Sequence, residues 1–326
     1  MAASPSKQPD SLLHHFRAAV AVPVPPSARI CVGLSGGLDS VVLLHLAAQM
    51  GWRDRLSALH VHHGLSPHAD AWADFCLAYG AALGVPVRVV RVAVAQDGGL
   101  GVEAAARQAR YEAFLTEAAD IFLLAHHRDD QAETVLFNLL RGGGVTGAAG
   151  MPFLRAWQGR TLLRPLLGLG RDELLAYARA ESLAWVEDES NADCRYSRNF
   201  LRHRILPLLA ERFPASRSLA GAASHFAEAD GLLAELAAMD WQACAEGDAL
   251  AMRRLRLLSE PRLKNLLRYR LRQLGWRSPV ASRLNEFARQ LRTAAPDTHP
   301  VLTLPDGEMR VQGGCLWWVA SGGKSA

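Results

Sequence analysis

The chain has 326 residues and a mass of 35.4 kDa, with 50% hydrophobic and 21% charged residues, which excludes a disordered chain and at this length favours two domains. No run of about eighteen apolar residues is uninterrupted, so no transmembrane helix is expected, and MAASPSKQPD lacks the apolar core of an export signal, which points to a cytoplasmic address. The net charge of +4 is unevenly spread: Arg195 to Arg283 holds sixteen Lys or Arg against eight Asp or Glu, so the basic half is C-terminal.

After a Pro-rich start (Pro23, Pro25, Pro26), the apolar run Arg29 to Leu34 reads as a buried parallel strand ending at Ser-Gly-Gly. A helix pattern follows at once, from Asp39 to Met50, with Gly51 as its stop. A second strand, Ser57 to His62, leads into a helix over 69–83 that ends at Gly84 and Pro86. The third strand spans Val87 to Val94. Gly98, Gly99 and Gly101 open a loop before a helix over 103–118, and Ile121 to Ala125 is a fourth apolar strand running into His126. This alternation predicts an α/β fold: a doubly wound parallel sheet that binds ligands at the carboxyl ends of its strands.

A helix from Asp130 ends at the cluster Gly142-Gly143-Gly144, with Gly147 and Gly150, which reads as a mobile loop. Helices around 171–181 and 199–211 precede an Ala-rich helix over 220–244, expected to link two domains. The basic, Leu-rich segment 255–274 and a tail of short strands (Val301 to Leu304, Glu308 to Val311) complete a smaller C-terminal α+β domain. The expected boundaries are an N-terminal extension over 1–28, a catalytic domain over 29–215 and a basic domain over 216–326.

Ser35-Gly36-Gly37-Leu38-Asp39-Ser40 lies between the first strand and first helix, where backbone N–H groups and a helix dipole attract an anion. Glycines let the backbone approach phosphate oxygens, and serine hydroxyls add donors. Asp39 would repel a phosphate unless a cation lay between, which suggests Mg²⁺ held on a polyphosphate. The blander reading is a Gly-rich turn with an Asp cap. On the helix from Asp130, Glu133, Thr134 and Phe137 share its face, so Asp130 and Glu133 point together and suit a cationic ligand. Arg198 and Arg202, four apart, have the spacing to grip an RNA phosphate, though a solvated helix face has the same pattern.

The S-G-G-x-D-S loop resembles the signature of the N-type ATP pyrophosphatases, which cleave ATP to an adenylated substrate and pyrophosphate. Ala125-His126-His127-Arg128-Asp129-Asp130-Gln131-Ala132-Glu133-Thr134 is similar to a segment of the tRNA(Ile)-lysidine synthetases within that superfamily. So are Glu103 to Tyr111, Arg164-Pro165-Leu166, Trp185 to Asn191 and Ser197 to Pro207. The likeness covers roughly residues 29 to 210 densely and the basic remainder more weakly. Ser66, Arg128 and the Gly144 to Met151 loop depart from the family pattern, and one C-terminal domain is expected where longer relatives carry two.

The resemblance implies that ATP adenylates the 2-carbonyl oxygen of the wobble cytidine in an isoleucine tRNA with a CAU anticodon, after which the ε-amine of free lysine displaces AMP. It implies ATP binding by Ser35, Gly36, Gly37, Leu38, Asp39 and Ser40, with Mg²⁺ on Asp39. Arg107 would stabilise phosphate charge, His126 would assist transfer, and Asp130 and Glu133 would bind lysine. Arg198, Asn199, Arg202 and Arg204 would contact tRNA, and the protein would be a homodimer. Which group deprotonates lysine is left open, as is how methionine tRNA is rejected. Two alternatives stand: a tRNA thiolase, for which the scattered Cys31, Cys76, Cys194, Cys244 and Cys315 offer no paired motif, and a non-catalytic tRNA-binding module.

Overall fold

The structure, a computed structural model, describes residues 9–94, 102–189, 193–295 and 298–321, and the chain divides into two compact units that meet in sequence at Ala227 and Glu228. The first unit begins with α1 (Pro9–Ala21), β1 (Ile30–Gly33), α2 (Leu38–Ala48), β2 (Leu56–His62), α3 (Ala69–Leu83), β3 (Val87–Arg91), α4 (Val102–Leu115) and β4 (Ile121–Leu123). It continues with α5 (Arg128–Leu140), the single turn α6 (Val145–Ala148), β5 (Leu154–Trp157), β6 (Arg160–Leu163), α7 (Arg171–Ala180), α8 (Ser197–Phe200), a π-helical segment Leu201–Ile205 and α9 (Leu206–Ala210). The sheet order is β3-β2-β1-β4-β6-β5, with every pairing parallel except β5 on β6.

Side chains on successive strand positions point to opposite faces, and both faces are covered. Ile30, Val32, Ala58, Ile121, Leu123 and Leu163 face a cluster completed by Phe16 of α1, Leu43 and Leu46 of α2 and Leu174 and Ala178 of α7. Cys31, Leu59, Phe122 and Leu162 face a second cluster, closed by Ala113 and Phe114 of α4. This two-sided burial is the physical content of the doubly wound prediction. At roughly 25 cal/mol per Å² of buried apolar area, it is also what stabilises strands only three to seven residues long.

Two features differ from expectation. The segment read as a loose extension through residue 28 carries α1, whose Leu12, Phe16 and Val20 join the main core along with Val24. The segment before Arg164 forms the β5–β6 hairpin, closed by Gln158 (φ 49°) and Gly159 (φ 73°), which makes β6 a fifth parallel strand beside β4. The glycine loop is tied to α5: Gln131 Nε2 donates to Met151 O at 3.0 Å, its Oε1 accepts from Met151 N at 2.7 Å, and Asn138 Nδ2 donates to Gly147 O.

The second unit takes the later part of α10 (Ala215–Cys244), then β7 (Ala245–Glu246), β8 (Ala249–Ala251), α11 (Met252–Leu255), α12 (Glu260–Gln273), α13 (Ala281–Thr293), β9 (Val301–Leu304), β10 (Gly307–Gln312) and β11 (Cys315–Ala320). Its sheet, in the order β7-β8-β11-β10-β9, is antiparallel throughout and packs through Leu316 and Trp318 on Leu263, Leu267 and Phe287. Part of the basic surplus is internal to this unit. Arg262 donates to both oxygens of buried Asp240, Arg272 to both oxygens of Asp230, and Arg256 to the carbonyls of Leu291 and Ala294. Among the described residues, no helix is long and apolar enough to cross a membrane.

Candidate functional site

The loop Ser35 to Ser40 connects β1 to α2 and is shaped by its own serines. Ser40 Oγ accepts from Ser35 N at 3.1 Å, donates to Gly37 O at 3.0 Å and lies 3.0 Å from Ser35 Oγ, which accepts from Gly37 N. Gly36 adopts φ +87°, and a Cβ there would stand 2.9 Å from Val186 Cγ2 and 3.2 Å from Cys76 Sγ. Glycine is therefore required both for its backbone conformation and for the close approach of Val186, whose N–H donates to Gly36 O at 3.0 Å. That contact places the Trp185-Val186 segment against the loop. Gly37, the residue before α2, supplies no side-chain cap, so the N-terminal donors of α2 are left for an anion.

Asp39 stands in the first turn of α2. Its Oδ1 is buried without a hydrogen-bond partner, an orphaned acceptor beside the bare helix end, and Mg²⁺ fits there. Among the described residues, no three His, Cys, Asp or Glu converge in a metal cage, so such a cation would draw most of its ligands from phosphate and water.

The loop from β4 into α5 is organised around His127, which sequence reasoning passed over in favour of His126. His127 is 2% exposed. Its Nδ1 accepts from Asp129 N at 3.2 Å while Asp130 Oδ2 accepts from His127 N at 3.0 Å, a reciprocal capping box that closes the start of α5. With Nδ1 accepting, the ring proton sits on Nε2, 3.6 Å from Asp39 Oδ2 and 3.5 Å from Asp130 Oδ2. Burial alone would push the His127 pKa down, but Asp39, Asp130 and Asp129 outweigh it and the net shift is upward.

Arg202 lies against Asp130 and Glu133. Its Nε donates to Glu133 Oε1 at 2.5 Å, and its Nη2 donates to Glu133 Oε2 at 3.1 Å and Asp130 Oδ1 at 2.9 Å. Burial raises the pKa of Glu133, with Arg202 opposing, while the acids overcome burial to raise that of Arg202. The structure thus brings Asp39, His127, Asp130, Glu133 and Arg202 into one network across the ends of β1 and β4.

A cationic rim borders this network. His126 Nδ1 is buried without a partner, and burial, then Arg164, Arg107 and Arg110, push its pKa down to about 3, so it is a neutral imidazole at neutral pH. His63, at the end of β2, is pushed down to about 4 by burial and then by Arg110, and its Nδ1 is also orphaned. Arg107 donates to Tyr111 OH at 3.3 Å and lies over that ring. The side chain of Glu103 and residues Ser190 and Asn191 lie outside the described residues.

The four residues expected to contact tRNA are distributed differently from a single exposed face. Arg204 is exposed, Arg198 lies 5.6 Å from the centre of the Phe137 ring, Asn199 Nδ2 donates to Asp193 O at 3.0 Å, and Arg202 is committed inward to the acids. Arg128, expected from the sequence to depart from the family pattern, bonds Glu173 Oε2 of α7 and Gly168 O, each at 3.2 Å. Its role is to bind two elements of the fold together.

The PP-loop domain model matches residues 11–209, and the model of the TilS substrate binding domain matches residues 250–317. Similar curated proteins named tRNA(Ile)-lysidine synthase include that of Aromatoleum aromaticum, 52% identical over 88% of this chain and 67% of that protein. Those of Alkalilimnicola ehrlichii and Pseudomonas aeruginosa are 46% and 47% identical over 95% and 91% of this chain, and each alignment covers 70% of the relative. The chain spans about two thirds of the length of the curated relatives it matches. Among solved structures, the U34-tRNA thiolase NcsA from Methanococcus maripaludis, with its 4Fe-4S cluster, matches at TM-score 0.56 over 67% of this chain and 79% of that one. At 20% identity this is a likeness of fold alone.

Proposed function

The chain belongs to the tRNA(Ile)-lysidine synthase family, and from that premise we propose that it joins free lysine to carbon 2 of the wobble cytidine of an isoleucine tRNA with a CAU anticodon. The cytidine 2-oxygen attacks the α-phosphorus of ATP and pyrophosphate leaves. The lysine ε-amine then adds at carbon 2, AMP leaves with the oxygen, and the amine sheds a proton. The product, lysidine, changes codon reading from AUG to AUA and tRNA identity from methionine to isoleucine. An unpaired anticodon base suits this chemistry because its Watson–Crick edge is accessible to a pocket.

The observation that carries the reading is the juxtaposition of two opposite sites on adjacent strands. The uncapped start of α2 offers N–H donors to phosphates, while the closed start of α5 presents Asp130 and Glu133 to a cation. Asp39 would hold Mg²⁺, which when bound neutralises polyphosphate charge. The His127 Nε2 proton lies between Asp39 and Asp130, 3.6 and 3.5 Å from their Oδ2 atoms, and eases the repulsion between the two carboxylates. Arg107 supplies positive charge to the phosphates, and His126, neutral in the free site, serves as hydrogen-bond partner to the reacting groups. Glu133, its pKa raised by burial, is the group suited to receive the proton shed by the amine. Arg198 and Arg204 would contact RNA phosphates, and a cytoplasmic address and a homodimer accompany the family expectation.

Incubation of purified protein with Mg-ATP, radiolabelled lysine and the isoleucine transcript tests this directly. Acid-precipitable label with matching pyrophosphate is expected, absent with Asp39→Ala, Asp130→Ala or a transcript with a changed wobble base. Pyrophosphate without label would keep adenylation and reject lysine as nucleophile, and no pyrophosphate would leave a binding module.

A further inference from the structure

The two acids assigned to the lysine amine already hold a cation. Glu133 is 4% exposed and both its oxygens accept from Arg202, while Asp130 gives Oδ1 to Arg202 and Oδ2 to the backbone N–H of His127. All four carboxylate oxygens are therefore satisfied from within the chain. Arg202 is the more accessible partner, its side chain 36% exposed against 5% for that of Glu133, so the guanidinium covers the acids from the solvent side. An ammonium competes with this fork for the same acids, because the guanidinium lies on their solvent side, already donates to both Glu133 oxygens and to Asp130 Oδ1, and cancels part of their charge.

The backbone beneath Arg202 is unusual. Leu201–Ile205 is π-helical between two α-helical turns, an arrangement that accommodates one residue more per turn than its neighbours. A one-residue return to α-helical register would rotate side chains on this segment by roughly 100° and withdraw Arg202 from the acids. Arg198 and Arg204, the side chains assigned above to RNA phosphates, flank it on the same stretch.

We propose that Arg202 is a positioning residue that stands in for the lysine ammonium: in the free protein it occupies Asp130 and Glu133, and RNA phosphates bound along residues 198–204 draw it away and open the acids to the amine. This rests on the functional reading above and adds an order to it, with RNA before lysine. Lysine then meets a competent site only when the cytidine it is to modify is present.

Equilibrium dialysis of radiolabelled lysine against the full chain, with and without the isoleucine transcript, tests the order. Wild type is expected to bind lysine about ten-fold more tightly with RNA, as for a site open in a minor fraction of free molecules. Arg202→Gln is expected to bind lysine without RNA as tightly as wild type does with it, and Arg202→Lys, which keeps a resident cation, to retain RNA dependence. Equal wild-type affinity with and without RNA overturns the proposal even if Arg202→Gln does not fold. Weaker RNA-free lysine binding by folded Arg202→Gln overturns it too, because it makes Arg202 a scaffold for the acids. Lysine incorporation by wild type, assayed in parallel, separates the two readings: incorporation without RNA-dependent binding removes only this proposal, and no incorporation removes both.

Discussion

The starts of α2 and α5 occupy equivalent places, each following a parallel strand of one sheet, and β1 and β4 are hydrogen-bonded neighbours. Their chemistry is opposite. At α2 the preceding residue is Gly37, no side chain caps the helix, and the serines bond one another instead of the helix end. At α5 the preceding residue is His127, and its ring and the Asp130 carboxylate take the first donors. The dipole is the same in both, so local side chains decide whether its positive end receives an anion from outside or is neutralised from within. One position becomes a phosphate cradle, and the other becomes a rigid base for carboxylates.

Removing the charged groups that distinguish the two sites should have the largest effect. Asp39→Asn and Asp130→Asn are nearly isosteric and are expected to lower the rate of lysidine formation by roughly a hundred-fold or more. They should differ in kind. Asp39→Asn should abolish pyrophosphate release, whereas Asp130→Asn should raise the lysine KM, and single-turnover measurement of both products checks the difference. Identical loss of both products in the two variants would mean that the strand ends act as one site.

Next is the backbone of the cradle. Gly36→Ala puts a Cβ at φ +87° against Val186 and Cys76, and should cost about 1–3 kcal/mol of stability together with most ATP affinity. Urea denaturation and nucleotide titration measure the two losses. No equivalent strain exists at the start of α5, where His127 is extended at φ −121°. His127→Ala should therefore cost about 1 kcal/mol of capping energy in addition to the cavity left by a buried ring, and His127→Asn, which keeps an acceptor for Asp129 N–H, should recover the capping part. The asparagine should not recover activity, since it cannot span Asp39 and Asp130 as the ring does.

Much of this frame was legible in the sequence, for identifiable reasons. Buried parallel strands read as apolar runs, and β1 and β2 end at Gly33 and His62, so the cradle could be placed on a strand–helix junction. The β5–β6 hairpin escaped because its strands have four residues each and its turn is Gln-Gly, outside the usual Asn-Gly or Asp-Gly signal. Leu12, Phe16 and Val20 recur at four-residue spacing, a helical signal obscured by the prolines that follow it. Arg198 and Arg202 have the spacing of a shared helix face, but the π-helical segment between Leu201 and Ile205 breaks the 3.6-residue period. One therefore rests on Phe137 and the other on the acids. A pair of adjacent histidines gives no sign of which one faces the aspartates and which the arginines, because irregular backbone separates Leu123 from Arg128.

That histidine pair yields the smallest and sharpest test, since His126 and His127 should impose opposite pH slopes on stability. The folded pKa of His126 is depressed to about 3, so between its unfolded value near 6.5 and that point the unfolded chain binds the extra proton. Its contribution is present above about 6.5 and is lost as pH falls. The folded pKa of His127 is raised, so above 6.5 the folded chain holds the extra proton. Its contribution is present below about 6.5 and is lost as pH rises through the raised value. Urea midpoints from pH 5 to 8 should therefore fall less steeply on the acid side in His126→Asn, and less steeply on the alkaline side in His127→Asn. His45, His60 and His63 share the sign of His126, so its removal flattens the acid limb without abolishing it. The same slope change in both variants would show that the two rings share one environment, and would undo the distinction between the uncapped helix end and the closed one.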